Sequence, residues 1–201
     1  MARAPSFVGV ILAAGGSSRM GRDKALLDWR GQSFLEATLE LLAPHTQLSL
    51  VVAGKNAEAL APLVYAKAGF LNVNPRPELG QFSSLQVGLH EVLNRGRDAA
   101  VVALVDRPPC DSATLERLLD EFAEAHLKGK WAVVPEYAGK HGHPFVVGRE
   151  MIEAFLQAPA TSSAREVEHA LVDRILYLAV ADPLVAVNVD TPEDYARLTT
   201  A

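Results

Sequence analysis

The strongest constraint on the fold of this chain is a short apolar run near its start that ends abruptly in small residues. The run FVGVIL spans residues 7–12, and residues 13–16 read AAGG. A nearly uninterrupted apolar run of this length predicts a strand buried on both faces, as in a parallel sheet. Residues with almost no side chain let the backbone turn tightly and bring its amide groups close to an anion. The stretch therefore predicts a buried strand that leads into an anion-binding loop.

Cations cluster directly behind this loop. Arg19, Arg22 and Lys24 are opposed there by one carboxylate, Asp23, in a chain whose formal net charge is −5. Such local basicity suits a polyphosphate. A tight strand-to-helix turn with solvated arginines is the alternative; it explains the glycines by themselves, but the clustered cations weigh against it.

The sequence does not match either of two common phosphate-binding motifs. The loop has the glycine spacing of a P-loop, but Arg22 and Asp23 stand where that loop needs Lys followed by Ser or Thr. A dinucleotide-binding fold needs an acid at the end of its second strand, and the apolar run 48–53 is followed by the residues GKN. Neither a Walker A loop nor a dinucleotide fingerprint fits.

The stretch LAAGGSSRMGRDK, residues 12–24, resembles the signature loop of the MobA-like nucleotidyltransferases. Further similar pieces follow in the family's order: GQFSSLQVGL from Gly80, VDRPPC from Val105, GHPFVV from Gly142 and NVDTPEDY from Asn188. The resemblance spans nearly the whole chain and looks closest to the molybdenum cofactor cytidylyltransferases. It implies a three-layer α/β/α fold with a Rossmann-like, mostly parallel sheet of the nucleotide-diphospho-sugar transferase type.

The pattern along the chain independently predicts an α/β fold, because strand-like and helix-like stretches alternate. The length of 201 residues favours one domain over residues 1–201. The expected strands after the first are 48–53, 69–73, 99–105, 131–134, 145–147, 175–180 and 185–189. The expected helices include 34–42, 57–68, 80–93, 149–156 and 164–171.

The resemblance implies a set of nucleotide-binding residues. In the family the first loop wraps a nucleoside triphosphate, and the matching residues here include Lys24, which would serve the phosphates. The predicted nucleotide-binding residues are Leu12, Ala13, Ala14, Gly15, Gly16, Lys24, Asn74, Gly80, Ser83 and Ser84. The predicted catalytic residues are Arg19, Lys24 and Asp106.

Carboxylates that follow apolar runs predict a metal site. Asp106 directly follows the most apolar run, 99–105, and ligands of open α/β sheets collect beyond the carboxyl ends of the strands. Asp106 is therefore predicted to hold Mg²⁺, with a plain turn aspartate as the alternative. Asp190 follows the run 185–189 in the same way and could be a second ligand. Asn188 stands where the cytidylyltransferases often have aspartate, so the choice between Asn188 and Asp190 is open.

Ser83 and Ser84 open an amphipathic helix, where serine either caps the helix or contacts an anion; the resemblance favours nucleotide contact. Gly88 inside that helix costs about 1 kcal/mol of helix stability compared with alanine, which indicates close packing against a neighbour or a ligand.

His141 and His143 lie two residues apart in a glycine-rich turn. Without a third metal ligand nearby, such histidines more often bind an anion or no ligand than zinc.

Other features of the sequence limit where the protein can be located and what it can bind. The single cysteine, Cys110, excludes an internal disulfide and a thiolate metal cluster. The first residues, MARAPS, do not form a secretory signal, and no apolar run reaches the ~18 residues needed to span a bilayer. We therefore expect a cytoplasmic location and no membrane partner. The acidic net charge argues against binding to nucleic acid.

The resemblance thus implies transfer of a nucleoside monophosphate from a triphosphate to the phosphate of a molybdopterin-type acceptor, with release of pyrophosphate. CTP is expected because Ala14 matches the cytidylyltransferases, and His143 and Arg107 are predicted to bind the acceptor. A molybdoenzyme or its chaperone is a candidate protein partner. The alternatives are a guanylyltransferase of the same family, a sugar-phosphate or methylerythritol-phosphate nucleotidyltransferase, and a nucleotide-sensing module without turnover.

Overall fold

The structure of the chain is a computed structural model, and it describes residues 6–16 and 20–199. The strands are β1 (Phe7–Leu12), β2 (Asp28–Trp29), β3 (Gln32–Ser33), β4 (Leu48–Ala53), β5 (Phe70–Val73), β6 (Ala99–Leu104), β7 (Ala132–Tyr137), β8 (Lys140–His141), β9 (Phe145–Gly148) and β10 (Ile175–Ala179). The α-helices are α1 (Phe34–Leu42), α2 (Ala57–Ala66), α3 (Gln81–Asn94), α4 (Ser112–Leu127), α5 (Arg149–Gln157), α6 (Ala164–Ala170) and α7 (Pro192–Thr199). Short 3₁₀ turns occur at Lys24–Leu26, Pro77–Leu79, Val172–Arg174 and Pro183–Ala186.

One mostly parallel sheet organises the described residues. Its strand order is β10-β7-β9-β6-β1-β4-β5, and β8 pairs with β7. Neighbouring strands β6, β1, β4 and β5 run parallel, whereas β9 runs antiparallel to both β6 and β7. Strands β2 and β3 form a separate antiparallel pair. The carboxyl ends of β1, β4 and β6 therefore meet at one edge of the sheet.

Alternate residues of the central strands point to opposite faces of the sheet, and helices cover both faces. On one face Ile11 and its neighbours pack with buried side chains of α1, α2 and α4. On the other face Val10 and its neighbours pack with α3 and α5. A third cluster, which includes Leu27, Phe34 and Val189, lies beneath α7. The predicted three-layer α/β/α architecture with a Rossmann-like, mostly parallel sheet is confirmed; that residues 1–201 form one domain stays a prediction.

The prediction that residues 185–189 form a strand is wrong. Pro183–Ala186 forms a 3₁₀ turn, and the residues after it are extended without a ladder partner. Val185 and Val189 are fully buried, but in different clusters, on one face of the sheet and beneath α7. Burial of an irregular segment therefore produced the apolar pattern. Asp190 consequently does not follow a strand, in contrast to Asp106.

Helix α3 lies unusually close to the sheet at Gly88. A Cβ atom at Gly88 would lie 2.5 Å from Cγ1 of Val10 and 3.0 Å from Cγ2 of Val52. The glycine predicted to pack closely therefore meets the sheet.

Gly88→Ala should lower the free energy of unfolding by about 1–2 kcal/mol. A Cβ atom this close to Val10 places the cost of overpacking in the upper part of its usual range of about 1–3 kcal/mol, and alanine returns about 1 kcal/mol of helix propensity. Urea unfolding would measure the change. The double variant Gly88→Ala/Val10→Ala removes one of the clashing methyl groups, so its loss should be smaller than the sum of the two single losses. A Gly88→Ala protein as stable as the wild type would contradict the close contact.

Candidate active site

Main-chain hydrogen bonds place the loop of small residues 13–16, which we call the bare loop, beside Asp106 at the carboxyl edge of the sheet. The amide of Ala13 donates to the carbonyl of Val52 at 2.8 Å, and the amide of Val105 donates to the carbonyl of Leu12 at 3.2 Å. Leu12 is also the register partner of Leu104 on β6. The loop after β1 and the carboxylate after β6 therefore leave adjacent strands at the same level.

The bare loop borders two cavities. Ala13 is buried and Ala14 half-buried, whereas Gly15 and Gly16 are exposed. A cavity of about 640 Å³ lies between this loop and residues that include Lys55, Asn56 and Glu78. A smaller cavity of about 210 Å³ is lined by Leu12 and by Gly80 and Ser84 near the start of α3. Arg19, which the sequence predicts to be catalytic, lies outside the described residues.

Lys24 lies between two carboxylates that are distant in sequence. Its Nζ is 2.8 Å from Oδ1 of Asp190 and 3.9 Å from Oδ2 of Asp106. The Lys24 side chain is only 12% exposed, so solvent screens these charges weakly. The positive charge of Arg107 also acts on both carboxylates. The structure thus brings Lys24, which is predicted to serve the phosphates, together with Asp106 and Asp190, which are predicted to hold the metal ion.

Asp106 has the character of a metal ligand. Its Oδ1 is buried and has no hydrogen-bond partner within residues 6–16 and 20–199. Burial raises the pKa of Asp106, while the positive charges of Lys24 and Arg107 lower it. An unpartnered buried carboxylate oxygen is costly unless a cation or donor meets it, and carboxylate oxygens suit Mg²⁺. The described residues contain no group of three or more His, Cys, Asp or Glu side chains placed to hold a metal ion.

A main-chain contact brings Asp190 to this site without a strand. The amide of Val189 donates to the carbonyl of Asp106 at 2.8 Å, which fixes the extended segment across the end of β6. Nδ2 of Asn188 donates a hydrogen bond to Oδ2 of Asp190. The side chain of Asp194 accepts from the amides of Asp190 and Thr191 at 3.1 and 2.9 Å. Of the two candidate metal ligands, Asp190 contacts Lys24, whereas Asn188 donates a hydrogen bond to Asp190.

Asn74, Ser83 and Ser84 form an internal hydrogen-bond network beside the smaller cavity. Nδ2 of Asn74 donates to Oγ of Ser83 at 2.9 Å and to Oγ of Ser84 at 3.0 Å. Oγ of Ser83 donates to the carbonyl of Gly80 at 2.7 Å. All three side chains are buried, and the residue that precedes α3, Gly80, provides no side-chain cap. The serines therefore anchor the start of α3, and Ser84 with Gly80 also lines the cavity.

The two histidines of the glycine-rich turn point in different directions. His141 is exposed and stacks on Tyr177 with ring centroids 4.0 Å apart. The ring of His143 lines an apolar cavity of about 240 Å³ together with Phe82 and Phe145. Burial, aided by the charge of Arg107, lowers the pKa of His143 to about 3, so its ring is neutral at physiological pH. Its Nδ1 has no hydrogen-bond partner among the described residues.

Arg107 and the histidine turn are joined through Val185. Nη1 of Arg107 donates to the carbonyl of Val185 at 3.2 Å, and the amide of His143 donates to the same oxygen at 2.9 Å. A Cβ atom at Gly142 would lie 2.4 Å from this oxygen, so only glycine permits the approach. Burial lowers the pKa of Arg107, although Asp106 and Asp190 raise it. Arg107 thus lies near the carboxylates of the site, and His143 is joined to Arg107 through Val185.

The amide of Asn56 makes contacts that the sequence did not predict. Its Nδ2 donates to the carbonyl of Ala13 at 2.9 Å and to Oδ2 of Asp23 at 2.6 Å. Its Oδ1 accepts from the amide of Gly54 at 3.0 Å. An Asn directly before a helix predicts an ordinary cap, and no sequence signal indicates a partner 33 residues away.

The fold and this site define an α/β protein that presents a bare loop, a lysine and two carboxylates at one edge of a parallel sheet. Residues 9–175 match the MobA-like NTP transferase domain family. The chain therefore belongs to the MobA-like NTP transferase domain family, which confirms the resemblance based on the signature loop. No helix within the described ranges combines the length and the apolar character needed to span a membrane.

Individual relatives match over almost their full length. The molybdenum cofactor guanylyltransferase of Xanthomonas euvesicatoria is 31% identical over 195 residues, which cover 96% of this chain and 94% of that protein. The molybdenum cofactor cytidylyltransferase of Escherichia coli is 24% identical and covers 92% of each chain. The crystal structure of Rv0371c from Mycobacterium tuberculosis superposes with a TM-score of 0.81 at 28% identity, covering 98% of this chain and 99% of that one. A crystal structure of Rv0371c in complex with manganese superposes with a TM-score of 0.79.

Proposed function

We propose that this protein transfers a nucleoside monophosphate, from CTP, to the phosphate of a molybdopterin-type acceptor and releases pyrophosphate. The observation that carries the proposal is the contact of Lys24 with Asp190 and Asp106 beside the loop of small residues 13–16. This arrangement combines donors for a polyphosphate with acceptors for a divalent cation. The names of the Xanthomonas and Escherichia coli relatives support a role in molybdenum cofactor biosynthesis.

In the proposed reaction, a phosphate oxygen of the acceptor attacks the α-phosphorus of the triphosphate. One phosphorus–oxygen bond forms, the bond from the α-phosphorus to the bridging oxygen breaks, and pyrophosphate leaves with the electron pair. No covalent intermediate with the protein is needed, so catalysis consists of positioning and charge stabilisation. The amides of residues 14–16 would donate hydrogen bonds to phosphate oxygens, and Lys24 would exchange a carboxylate partner for one of these oxygens.

Asp106 and Asp190 would hold a divalent cation, which we propose to be Mg²⁺. When bound, such a cation neutralises the charge of the phosphates. The unpartnered buried Oδ1 of Asp106 supports this assignment, as does the manganese complex of the mycobacterial neighbour. The catalytic role of Arg19 stays a prediction.

The acceptor would approach from the side of Arg107 and His143. Because the pKa of His143 is about 3, its ring would act as a neutral hydrogen-bonding group and not as a proton donor. Arg107 would contribute the positive charge that an anionic acceptor requires. The involvement of a molybdoenzyme or its chaperone, and the cytoplasmic location, stay predictions.

Two other functions remain as alternatives. A guanylyltransferase is favoured by the name of the Xanthomonas relative. A nucleotide-sensing module without turnover is disfavoured, because binding alone would not require both Lys24 and Asp106. Incubation with each nucleoside triphosphate, Mg²⁺ and either molybdopterin, a sugar phosphate or methylerythritol phosphate would test the proposal. Pyrophosphate release with molybdopterin supports it, and release only with another acceptor contradicts it.

Ala14→Gly should narrow the preference for CTP over GTP. The methyl group of Ala14 stands on the wall shared by the two cavities, where it occupies room that a larger purine edge could use. A contact of that size is worth about 1–3 kcal/mol in a pocket, so we expect a preference of about ten- to a hundredfold in the wild type. Calorimetric titration of CTP and GTP with Mg²⁺ measures both proteins. Tighter binding of GTP by the wild type would assign the protein to the guanylyltransferases.

A further inference from the structure

Asn56 occupies a helix-capping position but does not cap its helix. It directly precedes α2, where Asn commonly accepts a hydrogen bond from the first-turn amides. No such side-chain bond forms here. Its amide group faces the bare loop instead and is only partly exposed. The side chain is therefore committed to contacts outside its own helix.

These contacts join the two ends of the signature loop. Nδ2 of Asn56 binds the carbonyl of Ala13, where the loop leaves β1, and Oδ2 of Asp23, where the loop ends. Oδ1 of Asn56 accepts from the amide of Gly54, which fixes the orientation of the group on the end of β4. One side chain thus ties both ends of the loop to a neighbouring strand of the sheet.

Asp23 transmits this contact to Lys24. Oδ1 of Asp23 accepts from the amide of Ala25 at 3.0 Å and caps the 3₁₀ turn Lys24–Leu26. The same carboxylate therefore bonds to Asn56 through one oxygen and orients the turn that carries Lys24 through the other. Asn56 touches neither Lys24 nor the carboxylates Asp106 and Asp190, but it fixes where the turn begins.

We propose that Asn56 is a positioning residue, which holds Ala13 and Asp23 in place so that the amides of residues 14–16 and Lys24 meet the triphosphate in one preset geometry. The inference rests on the proposed function, because it assigns Asn56 a part in binding the triphosphate. Preset donors need not reorganise when charge shifts in the transition state. A loop bond that served stability alone would instead affect unfolding and leave the kinetics unchanged.

Asn56→Asp tests the proposal with minimal change in shape. Aspartate is as good an N-cap as asparagine, so α2 should tolerate the substitution. The variant loses both Nδ2 hydrogen bonds and sets a carboxylate against Asp23. We expect kcat/KM for the triphosphate to fall by about 10- to 100-fold, since small displacements of positioning groups cost this much. The KM for the acceptor should stay within about twofold, because Asn56 has no contact with Arg107 or His143.

A double variant tests whether restoring the hydrogen bond between positions 23 and 56 restores kcat/KM. In Asn56→Asp/Asp23→Asn, the amide at position 23 donates to the carboxylate at position 56, so the contact returns with donor and acceptor exchanged. This variant should recover much of the lost kcat/KM, short of the wild type because the bond to the carbonyl of Ala13 is still missing. Asn94→Asp is the matched control: its amide bonds only to His90 on the exposed side of α3 in the described structure, and its kinetics should equal those of the wild type.

Three measurements separate the outcomes. Loss of kcat/KM in Asn56→Asp with recovery in the double variant supports the positioning role. Wild-type kcat/KM in Asn56→Asp, or a loss that the double variant does not relieve, overturns it. A wild type that releases no pyrophosphate from any triphosphate would instead refute the proposed function. Calorimetric binding of CTP and GTP to the same proteins would then still decide the role of Asn56: equal Kd values for wild type and Asn56→Asp would overturn it.

Discussion

Asp106→Asn should lower kcat/KM for pyrophosphate release by about 1000-fold or more while the chain stays folded. The substitution keeps the shape of the side chain but removes the negative charge that a divalent cation needs. Loss of one group that stabilises transition-state charge costs about 100- to 1000-fold, and loss of a metal ligand adds to that cost. Initial rates measured across a series of Mg²⁺ and Mn²⁺ concentrations would quantify the loss and test whether excess metal restores activity.

The same variant should be at least as stable as the wild type at neutral pH. Burial raises the pKa of Asp106 above its value in the unfolded chain, so folding disfavours the ionised form. The stabilising contribution of such a group is present at low pH and is lost as the pH rises through the folded pKa. A neutral asparagine avoids that loss, so Tm at pH 7 should be equal or higher. Asp98→Asn, on an exposed carboxylate paired with Arg149, is the matched control. Normal metal-dependent turnover in Asp106→Asn would refute the metal site.

Lys24→Met should strengthen the binding of a divalent cation to the site and weaken the binding of the triphosphate. Without the ammonium, Asp106 and Asp190 lose a competing cation, so Mn²⁺ alone should bind more tightly. The triphosphate should bind about 10- to 100-fold more weakly, since a hydrogen bond to a charged group contributes about 1.5–3 kcal/mol. Methionine preserves most of the apolar stem of the lysine.

Calorimetry with Mn²⁺ alone, and then with the triphosphate, would measure both effects. Lys128→Met is the matched control, because Lys128 is exposed and pairs with Glu124 far from the loop in sequence. Unchanged affinity for Mn²⁺ in Lys24→Met would mean that the contacts of Lys24 do not compete with a metal ion. Unchanged kcat/KM would remove Lys24 from the phosphate site.

Local sequence patterns predicted most of the central elements. The run 48–53 forms β4 with the expected bounds, and the helical spacing of 34–42 matches α1. These segments were predictable because each buries one consistent face or both faces of a regular element. Residues 185–189 were mispredicted because Val185 and Val189 are buried by an irregular segment, and periodicity does not separate that case from a strand.

The candidate site was predictable to the extent that it follows strand ends. Asp106 was found because it follows a fully buried strand, and Lys24 because it follows the bare loop. The meeting of Lys24 with Asp190, 166 residues away, rests on the bond from the amide of Val189 to the carbonyl of Asp106, which no local pattern encodes. The contacts of Asn56 were missed for the same reason, since its partners Ala13 and Asp23 belong to another part of the chain.

The contact of Val189 with the end of β6 has a consequence for the order in which the protein becomes competent during synthesis. The loop, Lys24 and Asp106 are synthesised long before Asp190, and a domain generally folds as a unit. The sheet edge that we propose to bind the phosphates and the metal ion is therefore complete only when the segment around Val189 packs across the end of β6. Binding of Mn²⁺ at the proposed site should accordingly be acquired late, together with the folding of the whole sheet edge.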